Sequence, residues 1–248
     1  MTAGIRVNDV SFSYGSTPVL EGINLLIPEG QIWGLVGRSG SGKTTLLNVV
    51  AGLYTPRSGS VTVTGRGNTR VCPIRGVVFQ EDSLLGWLSA LDNILFPQYG
   101  NSASSSRERA ETLLEKMGLA RQRATLPHQL SAGMRKRVEF ARALLVDSEY
   151  ILMDEPFGSL DALTRRELWK TWFEIRQSIP RTGIISTHDP EEAIRMCDVV
   201  VTLRSGVPGT ITNQINVPPS IGDLKVSEQN NEVWRLCNEI TSSLAATT

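Results

Sequence analysis

The sequence predicts an α/β fold with a parallel core sheet, an antiparallel β layer beside it and an inserted α-helical unit. Three observations predict it. A glycine-rich stretch, Gly37 to Thr45 (GRSGSGKTT), sits between an apolar run and a helical one. Residues 4 to 32 alternate apolar and polar side chains between turn residues, the period of half-buried antiparallel strands. From Tyr150 onward, short apolar runs alternate with helical stretches, the pattern of a parallel sheet.

Each element follows in order. Ile5, Val7, Val10, Phe12 and Tyr14 make one run, and Val19, Leu20, Ile23, Leu25 and Ile27 the next. Gly15-Ser16-Thr17-Pro18 and Pro28-Glu29-Gly30 are the turns. Ile32 to Val36 is a continuous apolar run, as in a buried parallel strand, and Thr44 to Ala51 has helical character. After the turn Pro56-Arg57-Ser58-Gly59, Ser60 to Arg66 is a period-two strand, and Arg75 to Gln80 is a strand ending in a polar residue. Glu81 to Pro97 has the character of an apolar loop and Gly100 to Ser106 of a polar connection. Arg107 to Gly118 is an amphipathic helix with Ala110, Leu113, Leu114 and Met117 on one face and Gly118 as its stop. A second helix starts near Ser131 and carries Val138, Ala141, Leu144 and Leu145. Residues from about 81 to 148 are therefore expected as a helical insertion between two core strands.

Tyr150 to Met153 is a strand ending in Asp154-Glu155. Arg165 to Ser178 is a helix burying Leu168, Trp172 and Ile175. Thr182 to Thr187 and Asp198 to Leu203 are two more strands. The helix between them opens on Asp189-Pro190-Glu191-Glu192, which puts acids and a proline in its first turn. A tail from about 206 is expected to be irregular through Pro218-Pro219. It closes on a helix from Glu228 to Leu244, with Val233, Leu236, Cys237, Ile240 and Leu244 on one face. The whole of residues 1–248 is expected to act as a single domain.

Composition narrows the function classes. The 25 basic and 25 acidic residues balance, so there is no electrostatic footprint for nucleic acid and no polybasic membrane tether. Cys72, Cys197 and Cys237 are far apart and form no C-x-x-C pair, which argues against a metal site or a disulfide frame. No apolar run approaches the ~20 residues that cross a bilayer, and MTAGIRVNDV lacks the apolar core of a signal peptide. The expectation is a soluble chain that other chains would bring to a membrane.

The glycine-rich stretch carries the chemistry. It matches G-x-x-x-x-G-K-[ST], with Gly37, Gly42, Lys43 and Thr44 at the fixed positions and Arg38, Ser39, Gly40, Ser41 and Thr45 completing the loop. Glycines let successive N–H groups turn inward as a nest for phosphate oxygens. The helix opening at Lys43 adds its unpaired N–H groups and positive dipole end. Lys43 can bridge β- and γ-phosphates, and Thr44 offers a hydroxyl to Mg²⁺, which prefers oxygen ligands. Asp154 and Glu155 at a strand end are placed by alternation on opposite sides. Asp154 would hold Mg²⁺, and Glu155 would orient and deprotonate an attacking water. Leu130-Ser131-Ala132-Gly133-Met134 opens a helix and is a second candidate anion site.

Taken together, these stretches resemble, in order and over nearly the whole chain, the ATP-binding cassette family of transporter ATPases, a P-loop NTPase family. Leu130 to Met134 is similar to its signature LSGGQ. The resemblance implies ATP and Mg²⁺ as cofactors and two cassettes paired head to tail, each ATP lying between the cradle of one and the signature of the other. It implies that Tyr14 stacks on adenine and that Gln80 ligands Mg²⁺ and touches the water. Ser131 and Gly133 would cap the partner's γ-phosphate, Asp161 in Ser159-Leu160-Asp161 would couple the two sites, and His188 would contact the γ-phosphate. His128 has no such counterpart. Ala132 and Met134 depart from the signature: alanine disfavours φ > 0 near a tight turn, and methionine removes a polar contact. These departures leave a low-turnover regulatory cassette open as a rival reading, beside a non-transport ATPase acting on DNA or ribosomes.

Residues 77 to 94 (VVFQEDSLLGWLSALDNI) and 154 to 165 (DEPFGSLDALTR) resemble the importer cassettes for nitrate, sulfonates, taurine and related small anions. That branch implies separate transmembrane permease subunits, indirectly a substrate-binding protein, no nucleic acid, and a peripheral position on the cytoplasmic face of the plasma (inner) membrane. Leu84, Leu85, Trp87 and Leu88 are the candidate contact with the permease. Gly86 stands where those importers usually have proline, which is expected to loosen the loop.

Overall fold

In the computed structural model the described residues are 3–64, 76–98, 103–146, 148–158, 160–204, 206, 208–219 and 231–245. Arg66, Cys72, Arg75, Gly100, Ser159 and Glu228, on which parts of the sequence reading fall, lie outside them.

β1 (Gly4–Tyr14), β2 (Thr17–Pro28) and β4 (Ser58–Thr64) form a three-stranded antiparallel sheet in the order β2-β1-β4. Their alternating side chains Ile5, Val7, Ile23, Leu25 and Ile27 are buried, as a period of two requires of a sheet with one wet face. The second sheet has six strands in the order β5-β6-β7-β3-β8-β9. They are β3 (Ile32–Val36), β5 (Gly76–Val78), β6 (Tyr150–Asp154), β7 (Thr182–Thr187), β8 (Val199–Leu203) and β9 (Ile211–Asn216). The first five run parallel, and β9 pairs antiparallel on the edge. Every residue of β3, β6, β7 and β8 is buried, which explains the apolar centres of these strands in the sequence.

The two faces of that sheet bury different partners. Tyr150, Leu152 and Ile184 pack with α1 (Lys43–Val50) and the antiparallel layer. Ile151, Met153 and Ile185 pack with α4 (Ala132–Leu145), α5 (Ala162–Ser178) and the helices between β5 and β6. Those further helices are α2 (Ala90–Leu95) and α3 (Ala103–Lys116). α6 (Pro190–Met196) and α7 (Asn231–Ala245) cover β8 and β9 through Val200, Ile215, Val233, Leu236 and Ile240.

Several local expectations need correction. The stretch from Glu81 to Pro97 is not all loop. Ser89 accepts the Asp92 N–H at 3.1 Å and donates to its carboxylate at 2.6 Å, so a reciprocal cap starts α2. α3 opens at Ala103, inside the polar stretch expected as a connection. α5 opens at Ala162 rather than Arg165, because Asp161 caps the Leu163 and Thr164 N–H groups at 3.1 and 3.0 Å. The tail is not irregular after Gly206: β9 forms there by pairing with β8.

Candidate nucleotide site

Parallel pairing brings the chemistry to one end of the sheet. β3, β5, β6 and β7 all deliver their C-terminal ends there, where ligands bind in open α/β sheets. The glycine-rich loop follows β3, Gln80 follows β5, Asp154 and Glu155 close β6, and His188 follows β7. The register sets the pairings: Asp154 lies opposite Ser186 and Val36 opposite Thr187, so the next residues, Glu155, His188 and Gly37, gather at the same level.

In the loop, Gly40 and Gly42 have φ of 81° and 95°. A Cβ on Gly42 would meet Leu20 Cδ2 at 2.7 Å, so this position demands glycine twice over. Arg38, Ser39 and Gly40 are exposed. The Ser41 N–H donates to Arg38 O at 3.2 Å, while the Ser41 hydroxyl oxygen is buried without a partner. Lys43 is 6% exposed. Its ammonium donates to Gly37 O at 2.8 Å and Arg38 O at 3.2 Å, and lies 4.0 Å from Glu155 Oε1. Burial pulls this ammonium below its ordinary value, against the opposing charges of Glu155 and Asp154.

Glu155 departs from simple strand alternation. It leaves β6 with φ 46°, held there by its N–H bonding Ser186 O at 3.0 Å. That left-handed residue lets adjacent acids act on one centre: Asp154 and Glu155 both bear on Lys43. A non-glycine residue in this region is strained, and such strain collects at functional sites. The other Glu155 oxygen is 3.3 Å from His188 Nδ1. Asp154 is buried and accepts a short hydrogen bond from the Ser186 hydroxyl. Thr44, Gln80 and Asp154 line one cavity of about 410 Å³ that continues past Leu47, Ala51 and Tyr54.

At the other side of the loop, the Tyr14 hydroxyl is 3.5 Å from Thr45 Oγ1 and its ring is half exposed. Phe12 meets Tyr14 edge-on at 5.0 Å, Tyr54 stacks on Phe12 at 5.4 Å, and Tyr14 meets Tyr54 edge-on at 5.9 Å. Tyr54 was not marked by the sequence, because the signal for it is proximity to Tyr14 across forty residues.

Ser131 and Gly133 lie at the start of α4, and Asp161 at the start of α5. Ser131 caps α4 by accepting the Met134 N–H at 3.2 Å, which leaves its O–H proton free to donate. Gly133 packs on Leu160, whose Cδ2 would lie 2.9 Å from an added Cβ. Hydrogen bonds from Thr164 and Leu163 pull the Asp161 carboxyl below its ordinary value. The α4 helix accommodates both departures from the signature. Ala132 sits in the first turn of a right-handed helix, and Met134 packs against the main core. His128 is exposed on a short 3-10 turn. Cys197 is buried and Cys237 half-buried, and burial raises both thiols, Cys237 to about 11.

The donor set fits a nucleoside triphosphate with a hard divalent cation. The loop offers an ammonium, positive-φ glycines and a buried hydroxyl oxygen lacking a partner. Thr44, Gln80 and Asp154 offer only oxygen or amide donors, suited to Mg²⁺. Among the described residues no group of three His, Cys, Asp or Glu side chains makes a self-contained metal site, so such a cation would be shared with phosphate oxygens.

The comparison with known families decides the assignment. The model of the ABC transporter family matches residues 20–158. The chain belongs to the ABC transporter family. The cassette is 37% identical over 225 residues to the bicarbonate transport ATP-binding protein CmpD of Synechocystis, covering 88% of this chain and 80% of that protein. It is 39% identical to the nitrate import ATP-binding protein NrtD of Synechococcus elongatus (82% and 76% covered). It is 37% identical to the taurine import ATP-binding protein TauB of Escherichia coli (85% and 83% covered). Among solved structures, a dimeric bacterial ABC transporter cassette is 30% identical with a TM-score of 0.76, covering 86% of this chain and 99% of that one. A dimeric post-hydrolysis state of that cassette, bound to ADP and Pi, gives 0.74 at 29% identity, with the same coverage. The cassette is an ATP-binding P-loop ATPase of the importer type that the sequence resembled.

Proposed function

We propose that this cassette hydrolyses ATP to drive uptake of a small anion through separate permease subunits. One observation carries the ATPase part: Lys43, Glu155 and His188 converge at the phosphate loop, Glu155 touching both other side chains. Glu155 is the general base for the attacking water, and Lys43 and His188 stabilise charge on the transferred phosphoryl group. The 58% exposure of His188 suits a group that exchanges Glu155 for phosphate when the site fills. Thr44, Gln80 and Asp154 would hold Mg²⁺, which neutralises charge on the phosphates. Tyr14, braced by Phe12 and Tyr54, offers its exposed ring to adenine.

The partner is a second cassette, this chain or a relative. In the pair, Ser131 and Gly133 cap the neighbour's terminal phosphate and Asp161 couples the two centres. Residues 1–248 act as one such unit, with the helices between β5 and β6 as its inserted part. Trp87, 76% exposed on a loop with half-buried Leu84, Leu85 and Leu88, is the contact for the permease. Among the described residues no helix is long and apolar enough to cross a membrane, and the reading places the cassette peripherally on the cytoplasmic face. A binding protein acts upstream of the permease. The named relatives support a substrate of the bicarbonate, nitrate or sulfonate class. The test is ATPase activity of the complex captured with its membrane subunits, with and without Glu155→Gln. Unchanged turnover in that variant would overturn the assignment of the base, and capture without any integral membrane chain would overturn the transport reading.

A further inference from the structure

Four side chains of α4 outside every motif reach across to one short segment. Arg135, Lys136, Glu139 and Arg142 share a face by helical spacing, and all four bond the chain between Phe79 and Ser83. The Lys136 ammonium donates to Phe79 O at 2.6 Å and lies 3.5 Å from Glu81 O, so it grips the carbonyls on both sides of Gln80. Glu139 Oε2 pairs with that ammonium at 3.0 Å. Its other oxygen accepts the Ser83 N–H and the Ser83 hydroxyl, the latter at 2.8 Å. Arg142 donates to Ser83 O at 3.0 Å and Ser83 Oγ at 2.5 Å. Arg135 bonds the Asp82 carboxylate, and Leu130 O at 2.7 Å.

Glu139 is 1% exposed. A buried carboxylate is tolerated only when paired and hydrogen-bonded, and an apolar residue of similar volume is often no less stable. Its setting is therefore better explained by registry than by stability. α4 runs from the Ser131 cap to Leu145 as one unbroken helix, so a single rigid body carries the Ser131 end and the grip on Gln80.

We infer that Lys136 and Glu139 are positioning residues: they set the backbone of Gln80 against the nucleotide site and lock it in register with the Ser131 end of the same helix. This rests on the role proposed above for Gln80 and Ser131.

The test uses the full chain with Lys136→Met, Glu139→Gln and, as a control, Arg137→Ala, whose Nη1 bonds Met117 O at 2.9 Å on the opposite side of the helix. In nucleotide-free protein, amide hydrogen exchange over residues 79–83 is expected to quicken about tenfold in Lys136→Met and to stay at the wild-type rate in Arg137→Ala. In steady-state assays with MgATP, kcat is expected to fall by about tenfold to a hundredfold, the scale of a misplaced group. KM for ATP should hold within about twofold. Lys136→Arg should restore most of the rate, and adding Gln80→Ala to Lys136→Met should cost nothing further. Equal exchange in the two variants, equal loss of kcat in Arg137→Ala, or multiplying effects of Gln80→Ala and Lys136→Met would each overturn the inference. A wild-type chain without turnover would instead sink the ATPase reading, and hydrogen exchange would still decide whether the clamp holds.

Discussion

Replacing Glu192 with glutamine is expected to stabilise the cassette above neutral pH and to leave it unchanged in acid. Glu192 is 2% exposed. One of its oxygens accepts from the Thr187 hydroxyl at 3.2 Å, and the other has no partner. Desolvation foremost, then the charge of Asp189, with Glu155 adding, raises this carboxyl from 4.5 to about 7, against Thr187 and Arg165. A carboxyl raised by folding binds its proton more tightly in the folded state. Its contribution is therefore complete below pH 4.5 and disappears as pH rises through 7. The slope is about 1.4 kcal/mol per pH unit across that window, or about 3 kcal/mol in all. For a chain of this length that is about 6–12 °C in Tm. Glutamine keeps the acceptor for Thr187 and has no charge to bury. Melting curves of both proteins from pH 4.5 to 8.5 should coincide at the acid end and separate toward the alkaline end, with the variant higher. Parallel curves across the range would refute the raised carboxyl, since other titrating groups cancel in the difference.

Other expected outcomes are these. Glu155→Gln should lower kcat by about 10²–10⁴-fold while ATP affinity measured by equilibrium binding stays near the wild-type value. Tyr14→Ala should weaken ATP binding by about fivefold to 150-fold, from the ~1–3 kcal/mol of a base stacked on an aromatic ring, as read by titration calorimetry. Gly183→Ala should lower stability by more than about 3 kcal/mol in urea titration, because its Cβ would lie 1.9 Å from Ile151 O inside the β6–β7 pairing. Trp87→Ala should leave the isolated chain's ATPase and Tm unchanged and reduce recovery of the membrane subunits on affinity capture.

The parts legible in the sequence were those with a local cause. The buried strands declared themselves because both faces must be apolar, and the phosphate loop because glycine is required at fixed offsets. What escaped was set by partners distant in sequence. α2 depends on the Ser89–Asp92 cap inside an apolar stretch with no clear period. β9, with only Ile211 and Ile215 apolar, is a strand because β8 offers it an edge. Glu155 breaks alternation because Ser186, on the next strand, holds its N–H. Tyr54, Glu139 and Lys136 have no motif at all, and their meaning appears only when β1 meets α1 and α4 meets the segment after β5.

Asn93 gives the loop before α2 an unusual property. Wholly buried, it accepts the Leu85 N–H at 2.8 Å and shares its two amide hydrogens among Leu85 O, Leu88 O and Ser89 O at 3.0–3.1 Å. Gly86 was expected to loosen this loop, yet the backbone on either side of it is tied to one amide. Trp87 thus projects from a loop already ordered, so that covering the indole would cost this loop little chain entropy.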